Sequence, residues 1–379
     1  MKTEQQHWKP TTGWTNTSTN TLQDLAQLVL IFGNRQLLED VSKFEELRKM
    51  YPNAHLLSGS TAGEIIDIEV YDNTIVATAV YFEKTSVKVA KTTISQDINS
   101  NDAGVFLAKS LLADDLKHVF VVSDGLVVNG SDLAEGFLSV LPSTVSVTGG
   151  LAGDAAAFQK TVVGLNEAPT SNQVVAFGLY GNHIQLGYAS IGGWEAFGPE
   201  RMVTKSEDNV LYELDGKPAL ELYKTYLGEK AAELPASALL FPLSLENKDA
   251  ANNLLVRTIL TIDEAKQSMT FAGDIPQGSK VRLMKANFEK LVDGAEQASE
   301  SSKEILAVDA DLAILVSCVG RKLVMGQRIE DELEAVRSVI GDQATISGFY
   351  SYGELAPFTK FKPCLLHNQT MTVTLLSER

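Results

Sequence analysis

The residue best suited to nucleophilic chemistry is Cys318, which follows a predicted strand and precedes Gly320-Arg321. A nearby guanidinium favours the thiolate form of a cysteine. Nucleophilic catalysis also needs a base. The five histidines are scattered without a recognisable pairing, at His7, His55, His118, His183 and His367. We therefore find no catalytic set and predict that Cys318 is not an essential nucleophile. A thiol-dependent hydrolase or transferase centred on Cys318 is the alternative.

Four loops rich in glycine or small polar residues follow predicted strands in the first half of the chain. The first loop begins at Gly33, and the other three cover residues 59–64, 123–125 and 149–154. In open α/β sheets, ligands bind beyond the C-terminal ends of the strands. Glycine also lets backbone N–H groups approach a ligand closely. The loops are therefore candidates for lining a ligand site, and the alternative is that their glycines only make tight turns.

Several charged residues near these loops fit the two ends of an amino acid. Glu64, Asp154 and Glu354 each close a glycine loop, and a carboxylate is the natural partner of an ammonium group. They could instead cap helices or accept loop N–H groups. Arg257 and Arg321 lie in apolar or glycine-rich surroundings. A guanidinium there could hold a ligand carboxylate bidentately, or form a buried pair with a local Asp or Glu.

Two tyrosines complete the predicted site. Tyr350 and Tyr352 alternate around Ser351, so on a strand they would share one face. They could floor a pocket or pack in a core. We expect the glycine loops to face Tyr350, Tyr352 and Glu354 across a cleft between two domains. The predicted ligand-binding residues are Ser60, Thr61, Gly63, Glu64, Ser123, Asp124, Gly149, Gly150, Asp154, Arg257, Ser317, Arg321, Tyr350, Ser351, Tyr352 and Glu354.

Composition limits the classes of partner. Lysine and arginine number 32 and aspartate and glutamate 48, which gives a net charge of −16. Such a surface repels a phosphate backbone, and no basic cluster offsets the repulsion, so no nucleic-acid partner is expected. No His or Cys spacing suggests zinc, and no intact nucleotide-binding loop is present. We therefore predict no metal and no cofactor.

The sequence also predicts a location. Residues 1–10 lack the apolar core of a signal peptide, and no apolar run approaches the ~20 residues needed to span a bilayer. Only two cysteines occur, which favours a reducing compartment. We expect a cytoplasmic protein without membrane insertion.

Short apolar strands alternate with amphipathic helices through most of the chain. This alternation predicts a mixed α/β (α+β) fold, in which mixed β-sheets are flanked by helices. Residues 1–24 lack periodicity and are predicted to be a flexible tail. Gly192-Gly193 marks a predicted boundary between a domain over residues 25–192 and a second over residues 193–379.

The two halves repeat one pattern. Strand 119–122 meets Ser123, a helix follows, and a second strand runs into the loop closed by Asp154. Strand 312–316 meets Ser317, a helix follows, and a second strand reaches residues 350–354. We predict a duplicated βαβ unit with Ser123 and Ser317 in equivalent places. The alternative is that any two βαβ units look alike.

These segments resemble the FIST family. Residues 58–65 and 149–154 look like the signature loops of a FIST N domain, and residues 197–199, 203–205, 214–220, 255–257, 272–279, 317–321 and 348–357 look like segments of a FIST C domain. The ordered matches cover about residues 25–365. The resemblance implies a bacterial-type sensory module of intracellular signal transduction that binds a small ligand, with amino acids as suggested inputs. It also implies a signalling output protein acting in trans. A third interpretation is a structural protein whose acidic surface docks a basic target.

Overall fold

The computed structural model describes residues 1–234, 236–246, 255–360 and 362–379. The predicted mixed α/β fold is confirmed, because several mixed sheets are flanked by helices. Three similar units form a core, and a smaller, largely antiparallel module is inserted into the third unit.

The first unit is built on a central parallel pair of strands. Its apolar run from Leu28 to Gly33 is buried at every position, as expected for a strand covered on both faces. Its elements are β1 (Lys2–Lys9), β2 (Gly13–Asn16), a 3-10 turn (Gln23–Leu25), β3 (Leu28–Gly33), α1 (Arg35–Leu38), α2 (Val41–Met50), β4 (His55–Ser60), β5 (Glu64–Ile66), β6 (Glu69–Tyr71) and β7 (Ile75–Tyr81).

The second unit repeats this plan. A parallel pair lies at its centre, and its helices pack outside the sheet. Its elements are β8 (Ser86–Thr93), α3 (Ser100–Leu111), β9 (Leu116–Ser123), α4 (Gly130–Leu138), β10 (Ser146–Leu151), β11 (Val163–Leu165) and β12 (Gln173–Tyr180).

The third unit begins with β13 (Ile184–Ile191), after which the chain enters the inserted module. The module has a hydrophobic core of its own. Its elements are β14 (Glu195–Glu207), β15 (Val210–Leu214), β16 (Lys217–Pro218), α5 (Ala219–Leu227), 3-10 turns at Gly228–Glu233 and Ala236–Leu240, β17 (Leu243–Leu245), β18 (Leu255–Arg257), β19 (Ile259–Asp263), β20 (Ser268–Phe271) and β21 (Lys280–Lys285).

The chain then returns to the third unit and completes it. The elements are α6 (Phe288–Leu306), β22 (Leu312–Cys318), α7 (Val319–Met325), a 3-10 turn (Gly326–Arg328), α8 (Glu330–Ile340), β23 (Thr345–Ser351), β24 (Gly353–Pro357), β25 (Cys364–His367) and β26 (Met371–Glu378).

The three units interlock by exchanging a strand at one edge of each sheet. The strand orders are β11-β4-β3-β7-β1-β2, β25-β24-β10-β9-β12-β8 and β13-β26-β22-β23-β5-β6. The first unit gives β5 and β6 to the third, the third gives β24 and β25 to the second, and the second gives β11 to the first. The core therefore has approximate threefold symmetry.

The predicted equivalence of two serines is confirmed, and a third copy was missed. Ser123 pairs with Val174 of β12, and Ser317 pairs with Met371 of β26, in matching registers. Gly33 holds the same place opposite Ile75 of β7. The first copy escaped recognition because a glycine stands where the other two copies have serine.

The centre of the core is apolar and draws side chains from all three sheets. Phe32 of the first unit and Phe349 of the third have ring centroids 4.5 Å apart. Phe120 and Phe177 of the second unit stack at 5.4 Å. Since the three inner faces share one core, the units depend on one another for burial.

The prediction of a flexible tail over residues 1–24 is wrong. Lys2–Lys9 form β1, which pairs along its length with β7. Gln5 donates hydrogen bonds to Thr78 Oγ1 at 3.3 Å and to the Ile346 carbonyl at 2.9 Å. The inward-facing side chains of this strand contact polar groups, so apolar and polar residues do not alternate along it. The strand therefore could not be predicted from hydrophobicity.

The predicted boundary at residues 192–193 lies where the chain leaves β13 for the inserted module. Two of the three core sheets contain strands from both sides of this boundary. The division into two domains at this point stays a prediction. In the part of the chain that the structure describes, no helix is long and apolar enough to cross a membrane.

Candidate functional site

Glu64 stabilises the segment in which the chain passes from the sheet of the first unit to the sheet of the third. Its Oε1 accepts a hydrogen bond from Thr61 Oγ1 at 2.6 Å, and its Oε2 accepts from Thr74 Oγ1 at 2.8 Å and Thr74 N at 3.2 Å. Burial raises the pKa of Glu64 to about 7. These contacts fix the chain where it leaves β4 and enters β5.

Glu354 repeats this arrangement in the third unit. Its carboxyl accepts from Ser351 Oγ at 2.6 Å, from Thr370 Oγ1 at 2.9 Å and from Thr370 N at 3.2 Å. It is fully buried, and desolvation raises its pKa to about 8. Glu64 and Glu354 thus fit the structural interpretation, in which a carboxyl accepts loop N–H and hydroxyl donors.

In the second unit, two aspartates accept the corresponding hydrogen bonds from loop N–H and hydroxyl groups. Asp124 accepts from Thr161 Oγ1 at 2.6 Å, Asn172 N at 2.7 Å and Leu126 N at 2.9 Å. Asp154 accepts from the backbone N–H groups of residues 159 and 160 and from the Tyr352 hydroxyl. Both side chains are buried and order the loops after β9 and β10.

Three predicted site residues of the third unit, Ser317, Arg321 and Tyr350, form one buried cluster around Glu332. Arg321 donates to Glu332 Oε2 from Nη2 at 2.6 Å and from Nε at 2.9 Å, and neither side chain is exposed. Glu332 Oε1 accepts from the hydroxyls of Tyr350 at 2.6 Å and Ser317 at 3.1 Å. Arg321 also donates to the carbonyls of Gly192 and Leu291. Its donors are therefore directed to protein acceptors.

Arg257 is buried at the junction between the inserted module and the core. Its Nη1 donates to the Leu366 carbonyl at 2.9 Å, and its Nε donates to the Asp274 carbonyl at 3.1 Å. Burial lowers the pKa of Arg257 to about 10. This arginine links β18 to β25.

The glycines of the predicted loops allow close packing of backbone. A Cβ atom at Gly149 would lie 1.9 Å from the Val121 carbonyl oxygen, and one at Gly150 would lie 2.5 Å from the Val316 side chain. Gly63 leaves room for the Lys322 side chain, whose Nζ would lie 2.5 Å from a Cβ there. Ser60 lies at the end of β4 and accepts from Val162 N at 3.0 Å.

Cys318 is buried at the end of β22, and burial raises the pKa of its thiol well above the usual range. Nearby Glu354 raises it further, and this outweighs the opposite effect of Arg321. A thiol in this setting stays protonated at neutral pH. The Ser123 hydroxyl, at the end of β9, is also buried, without a hydrogen-bond partner among the described residues.

Tyr352 has surroundings different from those of Tyr350. Its hydroxyl accepts from Asp154 N at 3.1 Å and Phe158 N at 3.2 Å, and its ring stacks on Phe158 with centroids 4.4 Å apart. Tyr350 instead points its hydroxyl at Glu332. The structure therefore brings Tyr352, but not Tyr350, to the loop that ends in Asp154.

The Tyr352–Phe158 stack faces an open cleft between the core and the inserted module, here called the module cleft. Two adjoining cavities form it, of about 330 Å³ and about 550 Å³, and both are lined by Phe158 and Leu260. Core residues at its wall include Gly125, Val127, Asn129, Asp132, Leu151 and Tyr352, and module residues include Asp208, Asn209, Leu260, Phe271 and Gly273. Pockets of this size hold small organic ligands.

One end of the module cleft is acidic. Asp132 and Asp208 line it, and Asn129 donates from Nδ2 to Asp274 Oδ1 at 3.0 Å beside them. Burial, followed by the charges of Asp274, Glu135 and Asp208, raises the pKa of Asp132. Asn129 also caps α4, so its position is fixed by the backbone N–H of Ser131 at 2.9 Å.

The other end is apolar and open to solvent. It is lined by Ala156, Leu239, Leu240, Ile259, Leu323 and Val324, together with the shared Phe158 and Leu260. Phe158, Leu260 and Leu323 are 36%, 38% and 45% exposed. The described lining residues of the module cleft include no serine, cysteine, histidine or lysine. The combination of an acidic end and an apolar end suits the binding of an amphipathic cation.

Of the individual residues predicted to bind a ligand, Tyr352 alone lines the module cleft, and the predicted loops 123–125 and 149–154 each contribute one further residue, Gly125 and Leu151. Phe158, Asp132, Asp208 and Leu260 were missed. Phe158 carried a weak signal, because it is an aromatic residue in a loop of small residues directly after Asp154. The others belong to segments that approach one another only in the folded chain.

Comparison with known proteins gives three findings. The FIST N domain model matches residues 27–217, and the FIST C domain model matches residues 219–357. An uncharacterized protein of Methanocaldococcus jannaschii is 26% identical over an alignment of 200 residues, and the match covers 48% of this chain and 36% of that protein. The chain thus matches about a third of that relative's length. A solved cyanuric acid hydrolase from A. caulinodans matches at 10% identity with a TM-score of 0.19, over 78% of this chain and 99% of that one.

Proposed function

Because the chain belongs to the FIST family, we propose that it is a sensory module that binds a small ligand in the module cleft. FIST domains are ligand-binding modules associated with signal transduction. The observation that carries the proposal is an open cleft with an acidic end, an apolar end and an aromatic stack between the core and the inserted module.

The chemistry of the lining supports a specific ligand class. Asp132 and Asp208 offer carboxylates to an ammonium group, and charge-assisted hydrogen bonds of this kind are stronger than neutral ones. Phe158 and Leu260 offer apolar surface to a side chain. The ligand is an amino acid or a related small amine with an apolar substituent.

Signal output follows if the ligand prefers one orientation of the inserted module relative to the core. Only a difference in affinity between two states shifts their populations. A ligand that touches both walls of the module cleft meets this condition. The output is then read by a partner protein in trans, in the cytoplasm, where the two free cysteines stay reduced.

Isothermal titration calorimetry with three matched probes tests the ligand class. Phenylethylamine carries the amine and the ring, L-phenylalanine adds a carboxylate, and 3-phenylpropionate lacks the amine. We expect phenylethylamine and phenylalanine to bind and phenylpropionate to bind at least about tenfold more weakly, as a lost charge-assisted hydrogen bond costs about 1.5–3 kcal/mol.

Variants locate the site. Asp132→Asn with Asp208→Asn is expected to weaken amine binding at least about tenfold. Asp114→Asn, an exposed aspartate in the loop between α3 and β9, should leave binding unchanged. The proposal fails if the double variant binds phenylethylamine as tightly as the parent, or if neither amine probe binds.

A further inference from the structure

A second cavity of about 550 Å³ lies between β1 and the β5–β6 hairpin, here called the hairpin groove. Its lining includes Thr345 and Ile346 at the N-terminal end of β23, whereas Tyr352 of the module cleft follows the C-terminal end of that strand. Seven residues of strand span roughly 20 Å. The two cavities are therefore separate.

Alternate residues of β1 form one wall of the hairpin groove. Thr3, Gln5, His7 and Lys9 all line it, since side chains two apart on a strand share a face. The opposite wall consists of hydroxyl, amide and charged side chains, among them Asp67, Glu69, Tyr71, Arg337, Asp342 and Gln343, and the loop at residues 17–20 closes one side. The lining is thus rich in groups that both donate and accept hydrogen bonds.

The charges in this groove nearly balance, since three acidic side chains (Asp67, Glu69 and Asp342) face two basic ones (Lys9 and Arg337). Arg337 pairs with Asp67 at 2.5 Å. Lys9 Nζ lies 4.2 Å from the centroid of the Tyr71 ring, and the Tyr71 hydroxyl donates to Glu69 at 2.5 Å. A ligand with a net charge would meet no unmatched cluster of the opposite sign. The balance favours an uncharged ligand.

His7 points to hydrogen bonding with such a ligand. It is 2% exposed, it lines the groove, and its Nε2 is buried without a hydrogen-bond partner in the described part of the chain. A buried polar atom left unpaired is costly and calls for an explanation. Burial, followed by the nearby Lys9, lowers the pKa of His7 to about 4, so the ring is neutral at physiological pH. A neutral imidazole exchanges hydrogen bonds with hydroxyl groups.

We propose that the hairpin groove is a second ligand site, which takes an uncharged polyhydroxylated molecule the size of a mono- or disaccharide. Sugar hydroxyls donate and accept, as the lining does. The volume lies within the range of small-molecule sites. The site is independent of the module cleft and of its ligand.

Saturation-transfer NMR and calorimetry on the full chain test the proposal with maltose, D-glucose, D-glucosamine and D-glucuronate. We expect the two uncharged sugars to bind and both charged analogues to bind at least about fivefold more weakly, because a charged group would be desolvated without a partner. His7→Phe keeps a flat aromatic ring but removes its nitrogen atoms, and it should weaken maltose binding about fivefold to tenfold through the lost hydrogen bond.

A rim variant keeps the test valid if His7→Phe fails to fold. Gln343 is exposed at the mouth of the hairpin groove, so Gln343→Trp should block maltose without disturbing the core. Gln36→Trp, at an exposed site on α1, is the matched control and should bind maltose as the parent does. The proposal is overturned if no uncharged sugar binds, if a charged analogue binds best, or if Gln343→Trp binds maltose unchanged.

Discussion

Buried carboxyl groups stabilise the loops where the chain passes from one sheet to the next, and their positions in the sequence did not reveal this role. Glu64 and Glu354 each accept hydrogen bonds from a hydroxyl three residues earlier and from a threonine at the start of a later strand. A carboxylate at the end of a glycine loop is thus as typical of a residue that stabilises the loop as it is of a ligand site. The two interpretations are separated by burial, which the sequence does not state.

Glu354 is expected to make stability fall as pH rises. Burial raises its pKa from 4.5 to about 8, so the folded chain holds a proton that the unfolded chain releases. This contribution is full below pH about 4.5 and is lost as pH approaches about 8. Glu354→Gln mimics the protonated form and removes the dependence. From pH 5 to pH 8, the free energy of unfolding of the parent should fall relative to that of the variant by on the order of a few kcal/mol.

Urea unfolding at both pH values measures the difference. Glu300→Gln, at an exposed position of α6, is the control and should track the parent. Equal pH dependence in the parent and in Glu354→Gln would contradict a protonated Glu354.

At the scale of elements, helices α3 and α4 pack through facing glycines. A Cβ atom at Gly136 would lie 2.2 Å from the Asn101 carbonyl oxygen, and one at Gly104 would lie 2.4 Å from the Leu133 carbonyl oxygen. Both contacts are with backbone, which cannot rotate away. The two glycines therefore set how closely the helices approach.

Gly136→Ala is expected to destabilise the protein although alanine is the better helix former. Alanine gains about 1 kcal/mol of helix propensity, whereas overpacking costs about 1–3 kcal/mol. Because the close approach is to backbone, the cost should lie at the upper end of this range, and the net loss should be about 2 kcal/mol in denaturant unfolding. Glu135→Ala, one residue away and exposed, should change stability little. A Gly136→Ala variant as stable as the parent would show that the helices separate without cost.

At the scale of the molecule, the exchanged strands make the three units interdependent. Without residues 193–379, β10 loses β24, β5 loses β23 and β13 loses β26. The shared central core would also lose the side chains of Ile314, Val316 and Phe349.

A fragment of residues 1–192 is therefore expected not to fold alone. Its NMR spectrum should lack dispersion, and its thermal unfolding should show no cooperative transition. Replacing residues 195–285 with a short Gly-Ser linker is the control, because the inserted module has its own core and its end strands pair at Glu195 and Lys285. That variant should unfold cooperatively. A cooperative transition in the 1–192 fragment would instead support an independent first domain.

The sequence by itself determined the fold class, the family and the local elements that carry a hydrophobic period. A short continuous apolar run ended by glycine, such as Leu28 to Gly33, is typical of a buried strand, and ordered motifs identify FIST domains. Burial and pairing across the chain required the tertiary structure. Arg321 could have met a ligand or Glu332, and only the fold brings Glu332 within 2.6 Å. Strand β1 and the module cleft were missed for a related reason. Single contacts between distant segments leave no periodicity along the chain, as with the hydrogen bond from Gln5 to Ile346 or the cavity wall shared by Phe158 and Leu260.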